Sequence, residues 1–166
     1  MLTPNYLMPS VYDVDCEFIK SIGKKAVIFD IDNTLVGFKV KKPDDKILDY
    51  ILALKEQGIS VAIASNNNAE RVGLFCKDLG VPYVHRTAKP LPFKLVGLCK
   101  KLGVKPKDTV LVGDQVYTDS LGANLLGMTS VMVDIIDTKE TLLFKIKRAL
   151  EKPVINRKRR KDARNK

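Results

Sequence analysis

The chain has 166 residues, 45% of them apolar, and a formal net charge of +10. A chain of this length buries a sizeable core and is expected to form one domain. Its start, MLTPNYLMPSVYDVD, lacks the basic and apolar segments of a signal peptide, and no window approaches the roughly 18 apolar residues of a membrane-spanning helix. Three scattered cysteines indicate a reducing, cytoplasmic setting and no disulfide framework.

Apolar runs rich in valine and isoleucine alternate with segments of helical period. Residues 1–22 are expected to form a helical or irregular lead-in packed on the core. Short, continuously apolar runs predict strands at 26–31, 59–65, 82–86, 109–114 and 129–135. Apolar residues at helical spacing predict helices at 43–58, 67–80, 91–103, 118–127 and 138–152, the last with Thr138 as its N-cap. The alternation predicts an α/β fold with a Rossmann-like, doubly wound parallel sheet over residues 23–152.

The C-terminal residues carry most of the positive charge. Residues 156–166 hold seven basic residues and one acid, and we assign 153–166 to a basic flexible tail because it lacks the apolar content to order itself. The preceding helix has an apolar stripe formed by Leu142, Leu143, Ile146, Ala149 and Leu150. We expect this stripe to pack on the protein's own sheet. Two alternatives are that the helix and tail contact an anionic membrane surface, or that the tail binds nucleic acid.

Polar side chains follow the predicted strands. Open parallel sheets bind ligands outside the carboxyl ends of their strands, so these side chains are candidates for one site. In chain order they are Asp30 and Asp32 after the first run, Ser65 and Asn66 after the second, Lys89 after the third, and Asp114 after the fourth with Asp119 five residues later.

These residue types suit phosphate chemistry. Asp30 and Asp32 are two positions apart and face the same side of the chain, where two carboxylates repel unless they share a cation. With Asp114 they form an oxygen-only ligand set that favours Mg²⁺. Ser65 before a helix start and the ammonium of Lys89 are suited to a bound phosphate. One aspartate can then attack phosphorus and form an aspartyl phosphate while its neighbour transfers protons.

Four segments resemble, in the same order, the motifs of the haloacid dehalogenase superfamily: DIDNT (30–34), SNN (65–67), AKP (88–90) and GDQVYTD (113–119). The resemblance implies phosphomonoester hydrolysis, with Asp30 as nucleophile and metal ligand and Asp32 as general acid and base whose backbone carbonyl also binds Mg²⁺. It implies that Asp114 and Asp119 serve the metal. The implied substrate-binding residues are Thr34, Ser65, Asn66 and Lys89.

The lead-in LTPNYLMPSVYDVD, the segment DIDNTL, the triple asparagine after Ser65 and GDQVYTD also resemble the YqeG family of small phosphatases, over roughly residues 3–150. That family is similar to phosphatidylglycerophosphate phosphatases, which implies a lipid substrate. Contact of the basic helix and tail with an anionic membrane would place the protein at the inner face of the membrane.

The intervals between the motifs are short. From Thr34 to Ser65 and from Ser65 to Lys89 there is no room for a folded cap domain, and only GFKVKK (37–42) is available to lean over the site. We therefore expect a capless site open to bulky phosphorylated substrates: lipid head groups, nucleic-acid ends or phosphoproteins. A phosphatase of nucleic-acid ends, or a nucleic-acid-associated protein that uses the basic tail, is the alternative function.

Overall fold

A computed structural model describes residues 2–137 and 141–164. These residues form a six-stranded, fully parallel sheet with the order β1-β6-β5-β2-β3-β4. The strands are β1 Tyr6–Met8, β2 Ala26–Phe29, β3 Ser60–Ala64, β4 Tyr83–Val84, β5 Thr109–Gly113 and β6 Thr129–Val133. The predicted Rossmann-like α/β architecture is thus confirmed. The order of strand addition reverses between β2 and β5, and open parallel sheets bind their ligands at such a reversal.

Helices cover both faces of the sheet. They are α1 Cys16–Ser21, α2 Asp45–Glu56, α3 Ala69–Cys76, α4 Phe93–Leu102, α5 Leu121–Leu125 and α6 Leu142–Arg164. Strand alternation sends Val27 and Phe29 into a core shared with α1, α2 and α3, and Ile28 into a second core shared with α4 and α5. Within the described ranges, no helix is long and apolar enough to cross a membrane.

The lead-in and the element boundaries differ in part from the prediction. Residues 6–8 form an edge strand paired with Val131–Val133 of β6, where only a helical or irregular lead-in was expected. This strand was not predicted because three residues are too few to show an alternating pattern. It forms by pairing with the open edge of β6. The first predicted strand ends at Phe29, two residues before its predicted end. Helix α3 begins two residues later than predicted, because the side chain of Asn68 caps it.

Helix α6 differs most from the prediction. It continues through Pro153 to Arg164, so residues 153–164 are helical, where a flexible tail was predicted; the mobility of this segment stays a prediction. The predicted N-cap, Thr138, lies outside the described residues. The expectation that the apolar stripe packs on the sheet is wrong, because its four large residues are exposed: Leu142, Leu143, Ile146 and Leu150.

The face of α6 that meets the protein is instead fixed by polar contacts. Arg148 and the buried Glu151 lie on this face, one turn apart. The Glu151 carboxylate accepts hydrogen bonds from the backbone N–H groups of Val116 (2.8 Å) and Tyr117 (3.3 Å). Charge-assisted hydrogen bonds of this kind are stronger than neutral ones, and here they orient the helix with its apolar stripe outward.

Candidate active site

Lys89 lies inside a buried acidic cluster at the carboxyl ends of β2 and β5. Its Nζ is 2.9 Å from Oδ1 of Asp30 and 2.6 Å from Oδ1 of Asp119, and only 1% of its side chain is exposed. The ammonium also donates to the Ala64 carbonyl at 3.0 Å. The Asn66 side-chain oxygen accepts a hydrogen bond from the Lys89 backbone N–H at 2.9 Å. The lysine is therefore held from both its backbone and its tip.

Three acids of this cluster lie close enough together to share a cation. The side chains of Asp30, Asp114 and Asp119 are buried and each offers an oxygen within 4.8 Å of the others. Burial, reinforced by Asp119, raises the pKa of Asp30 to about 7 although Lys89 opposes the rise. Burial and the same neighbour raise the pKa of Asp114 to about 8. Burial lowers the pKa of Lys89, but Asp119 and Asp30 outweigh it and raise that pKa.

The cluster therefore has fewer positive than negative groups: its three aspartates face Lys89 and, from α6, Arg148. Oδ1 of Asp114 is buried and accepts no hydrogen bond from any residue in the described part of the chain. An unsatisfied buried carboxylate oxygen is costly unless a cation balances it. Carboxylate oxygens at this spacing are suitable ligands for a divalent ion such as Mg²⁺. The residues present thus fit the predicted metal.

Asp119 owes its position to a turn and a glycine. It lies on a π-helical turn, Val116–Ser120, and its Oδ2 accepts hydrogen bonds from the Gln115 N–H (3.2 Å) and the Thr118 hydroxyl (3.3 Å). The side chain lies so close to Gly113 that a Cβ added there would be 2.2 Å from Cγ of Asp119. Turns of this type are frequent at functional sites, and this one requires a glycine opposite it.

Asp32 lines the same cleft but is held by different partners. Its Oδ1 is 2.9 Å from Nη2 of Arg71, and its Oδ2 accepts a hydrogen bond from the Asn67 side chain at 3.2 Å. The side chains of Arg71 and Asp32 are 13% and 12% exposed. The carboxylate of Asp32 is therefore outside the lysine cluster, in contact with the first turn of α3. Arg71 belongs to none of the motifs, and its place in the helix that follows SNN is the only signal in the sequence.

A cleft of about 270 Å³ opens on these side chains. Phe38, from the predicted flap, and Phe144, from α6, supply its apolar lining, with ring centroids 5.1 Å apart. The full lining is Asp30, Asp32, Phe38, Ser65, Asn66, Asn67, Lys89, Gln115, Thr118 and Phe144. The prediction did not include Phe144, because no motif marks a residue so distant in the sequence.

Two predicted substrate-binding residues occupy different environments. Ser65 is buried in the cleft wall, where its hydroxyl accepts a hydrogen bond from the Asn67 N–H at 3.1 Å. Thr34 does not line the cleft; it lines a neighbouring cavity of about 430 Å³, and among the described residues its buried hydroxyl has no hydrogen-bond partner. The structure therefore brings Ser65 to the site with Asn66 and Lys89, but not Thr34.

Helix α6 also reaches the metal-ligand candidates. Arg148 donates to both the carbonyl and the carboxylate of Asp114. Together with the contacts of Glu151 to the turn that carries Asp119, this ties the C-terminal helix to the acidic cluster. These contacts join residues more than 30 positions apart, and no pattern in the sequence predicts them.

Comparison with known proteins identifies the family. The family model for haloacid dehalogenase-like hydrolases matches residues 36–127, more than half of the chain. The chain is also 30% identical over 158 residues to the probable phosphatase YqeG of Bacillus subtilis. This alignment covers 95% of this chain and 92% of that protein. The protein belongs to the haloacid dehalogenase-like hydrolase family. With its phosphatase relative, this membership makes the protein a phosphatase of that family.

Solved structures agree on the fold. The cobalt-bound deoxy-D-mannose-octulosonate 8-phosphate phosphatase of Haemophilus influenzae has a TM-score of 0.54 and 20% identity over 67% of this chain and 68% of that one. The 3-deoxy-D-manno-octulosonate 8-phosphate phosphatase of Moraxella catarrhalis, in complex with magnesium ion, phosphate ion and KDO, has a TM-score of 0.50 and 20% identity, covering 74% of this chain and 80% of that one. Both share the core architecture of this chain.

Proposed function

We propose that this phosphatase is Mg²⁺-dependent and hydrolyses a phosphomonoester through an aspartyl phosphate. The supporting observation is the separation of two aspartates in one cleft. Asp30 is paired with Lys89 inside the buried cluster, whereas Asp32 is paired with Arg71 at its edge. Two carboxylates in different environments are suited to two different roles.

Asp30 is proposed as the nucleophile. One of its carboxylate oxygens attacks phosphorus, a phosphoenzyme bond forms, and the bond to the leaving oxygen breaks. Lys89, 2.9 Å from Asp30, reduces the repulsion between the carboxylate and the incoming phosphate and stabilises charge on the phosphoryl oxygens. Ser65 and Asn66 line the cleft beside it and are proposed to contact the same oxygens. We assign no substrate contact to Thr34.

Asp32 is proposed to move the protons. It gives a proton to the leaving oxygen in the first step and takes one from water in the second, when that water attacks phosphorus and releases Asp30. Arg71 and Asn67 hold the two oxygens of Asp32 in a fixed orientation, which proton transfer requires. Its slight exposure at the cleft gives it access to water.

Mg²⁺ is the proposed cofactor. The residues that would hold it are Asp30, Asp114 and Asp119, together with the Asp32 carbonyl that the family resemblance implies. When bound, the ion neutralises phosphoryl charge that would otherwise repel the nucleophile. The Moraxella phosphatase, a protein of the same fold, is in complex with a magnesium ion and a phosphate ion, which supports this choice.

The substrate is proposed to be larger than the cleft. Its volume of about 270 Å³ is just below the roughly 300–1,000 Å³ of typical small-molecule sites, so it holds the phosphate and the atoms next to it but not a bulky group. The described chain has no folded cap between β2 and α2 or between β3 and β4. An open site leaves the rest of the substrate outside. Phosphatidylglycerophosphate, which the family resemblance implies, is our proposed substrate, and a 3′-phosphorylated nucleic acid is the alternative.

The test compares substrates and one matched pair of variants. Asp30→Asn should lower turnover by about a thousandfold or more, because an amide does not replace the carboxylate nucleophile. Asp49→Asn, the same change at an exposed position of α2, is the control and should keep full turnover. Full turnover by Asp30→Asn, or turnover unchanged by EDTA, would contradict the mechanism. Phosphatidylglycerophosphate in mixed micelles, soluble sugar phosphates and 3′-phosphorylated oligonucleotides are compared in parallel, and a preference for either of the last two would contradict the lipid substrate alone.

A further inference from the structure

The outward face of α6 is divided along its length into an apolar half and a basic half. Its N-terminal half carries the apolar stripe, here defined as Leu142, Leu143, Ile146 and Leu150, whose exposed fractions are 75%, 62%, 52% and 60%. A helix advances about 100° per residue, so these four side chains occupy a sector of about 100°. The contacts made by Arg148 and Glu151 place the opposite side of the helix against the protein.

The same sector continues into the basic half. Counted at about 100° per residue, the exposed residues of this sector after Pro153 are all basic. This basic end is defined as Arg157, Arg160, Lys161 and Arg164. Two further exposed lysines, Lys145 and Lys147, flank the apolar stripe on either side. Apolar side chains bordered by lysines, next to a cluster of arginines, are typical of a helix that lies in the interface of an anionic bilayer.

The apolar stripe lies beside the catalytic cleft. Leu143 is adjacent in the chain to Phe144, which lines that cleft. Apolar side chains are also exposed near a second part of the cleft: Leu91 is 53% exposed and Phe93 is 78% exposed, two and four residues after Lys89. Four residues of chain span at most about 14 Å, so Phe93 lies within that distance of Lys89, which lines the cleft. Isolated exposed apolar residues are common, but here they occur on two elements next to one site.

We propose that the outward face of α6 docks on an anionic lipid bilayer, with the apolar stripe inserted among the head groups and the basic end on the anionic surface. The proposal rests on the function proposed above, because it explains how an open cleft meets a phosphate carried by a lipid. Charge complementarity selects this partner: the basic end needs anions and the apolar stripe needs a nonpolar medium, and a bilayer with anionic head groups supplies both. Nucleic acid would leave the stripe uncovered.

The test is co-sedimentation of the full chain with vesicles of phosphatidylcholine alone or mixed with equal phosphatidylglycerol. The parent protein should bind the mixed vesicles at least about tenfold more tightly, and high salt should weaken that binding. Ile146→Glu should lower the affinity for mixed vesicles by about tenfold or more, because it places a charge in the stripe. Leu52→Glu, at a leucine of α2 that is 51% exposed, is the control and should bind like the parent. Equal thermal unfolding midpoints would establish that both variants fold.

The basic end is tested in the same assay. Replacing Arg157, Arg160 and Lys161 with glutamine should remove most of the preference for anionic vesicles, whereas the same change at the exposed Lys77, Lys100 and Lys101 should not. The proposal is overturned if the parent protein does not bind anionic vesicles more tightly than neutral ones, or if Ile146→Glu binds anionic vesicles with the parent's affinity. It is also overturned if the protein binds RNA instead of vesicles, or if Ile146→Glu dissociates a dimer. Vesicle binding by Asp30→Asn tests docking without hydrolysis, so failure of docking and failure of the proposed chemistry are distinguished.

Discussion

Replacement of Gly113 by alanine tests whether Asp119 is held where the acidic cluster requires it. The added methyl carbon would lie 2.2 Å from Cγ, 2.4 Å from Oδ2 and 2.5 Å from Cβ of Asp119. Ordinary contacts begin at 3.4 Å, so the side chain must retreat by about 1 Å. Because Cβ itself is too close, rotation of the side chain is insufficient and the turn Val116–Ser120 must shift.

That shift should change metal binding and turnover together. Asp119 is 2.6 Å from Lys89 and contributes one of the three clustered carboxylates, so a movement of about 1 Å disrupts both contacts. We expect Gly113→Ala to lower Mg²⁺ affinity at least about tenfold and turnover about a hundredfold, a loss that a misplacement of about 1 Å can cause. Overpacking should also lower the free energy of unfolding by about 1–3 kcal/mol. Calorimetric titration with Mg²⁺, steady-state kinetics and urea unfolding measure the three quantities.

Gly97→Ala is the matched control. Gly97 lies in α4 with nothing within 4 Å of an added Cβ, so alanine should stabilise the protein by about 0.5–1 kcal/mol and leave metal binding unchanged. If Gly113→Ala is destabilised but keeps the parent's Mg²⁺ affinity and turnover, the reasoning about Asp119 is refuted.

Two further predictions concern the charges of the site. In metal-free protein, the pKa values of Asp30 (about 7) and Asp114 (about 8) lie above the value of about 4 for an aspartate in the unfolded chain. Between these values the folded state binds more protons than the unfolded state. The free energy of unfolding should therefore fall as the pH rises from about 5 to 8. Urea unfolding at each pH measures this fall in the free energy of unfolding. Added Mg²⁺ should restore the lost stability at the upper end of the pH range. A rise in the stability of the metal-free protein between about pH 5 and 8 would contradict the prediction. Arg71→Met should lower kcat by about ten- to a hundredfold, because Asp32 loses the cation 2.9 Å away, and Arg71→Lys should recover part of the loss. A change in KM alone, with kcat intact, would show that Arg71 does not orient Asp32.

Much of the acidic cluster was predictable because it depends on local patterns and one topological rule. Continuous apolar runs identify the strands β2, β3 and β5 to within a few residues. Parallel strands bring their carboxyl ends to one edge, which predicted that Asp30, Ser65 and Asp114 lie at the same edge. The observed strand order β5-β2-β3 then makes them neighbours. The placements of Lys89 and Asp119 followed from the order of the motifs.

The partners of these residues were not predictable in the same way. Arg71 meets Asp32 because α3 starts at Ala69, after its cap Asn68, and presents its first turn to the end of β2. Thr34 is part of the first motif, yet the chain turns after Asp32 and buries it in another cavity. Pairing of long side chains depends on where helix starts and turns lie in three dimensions, and helical or strand periodicity does not contain that information.

The orientation of α6 was likewise predictable only in part. From the sequence alone we predicted an amphipathic helix over 138–152 with an apolar stripe, followed by a basic tail. Which face of α6 turns inward became clear from the three-dimensional contacts. Glu151 accepts hydrogen bonds from residues 116–117 and Arg148 contacts Asp114, and both pairs join segments that are distant in sequence. Periodicity shows which side chains share a face of a helix. It does not show whether the apolar face or the polar face packs against the protein, because that depends on the groups that the helix contacts in the folded structure.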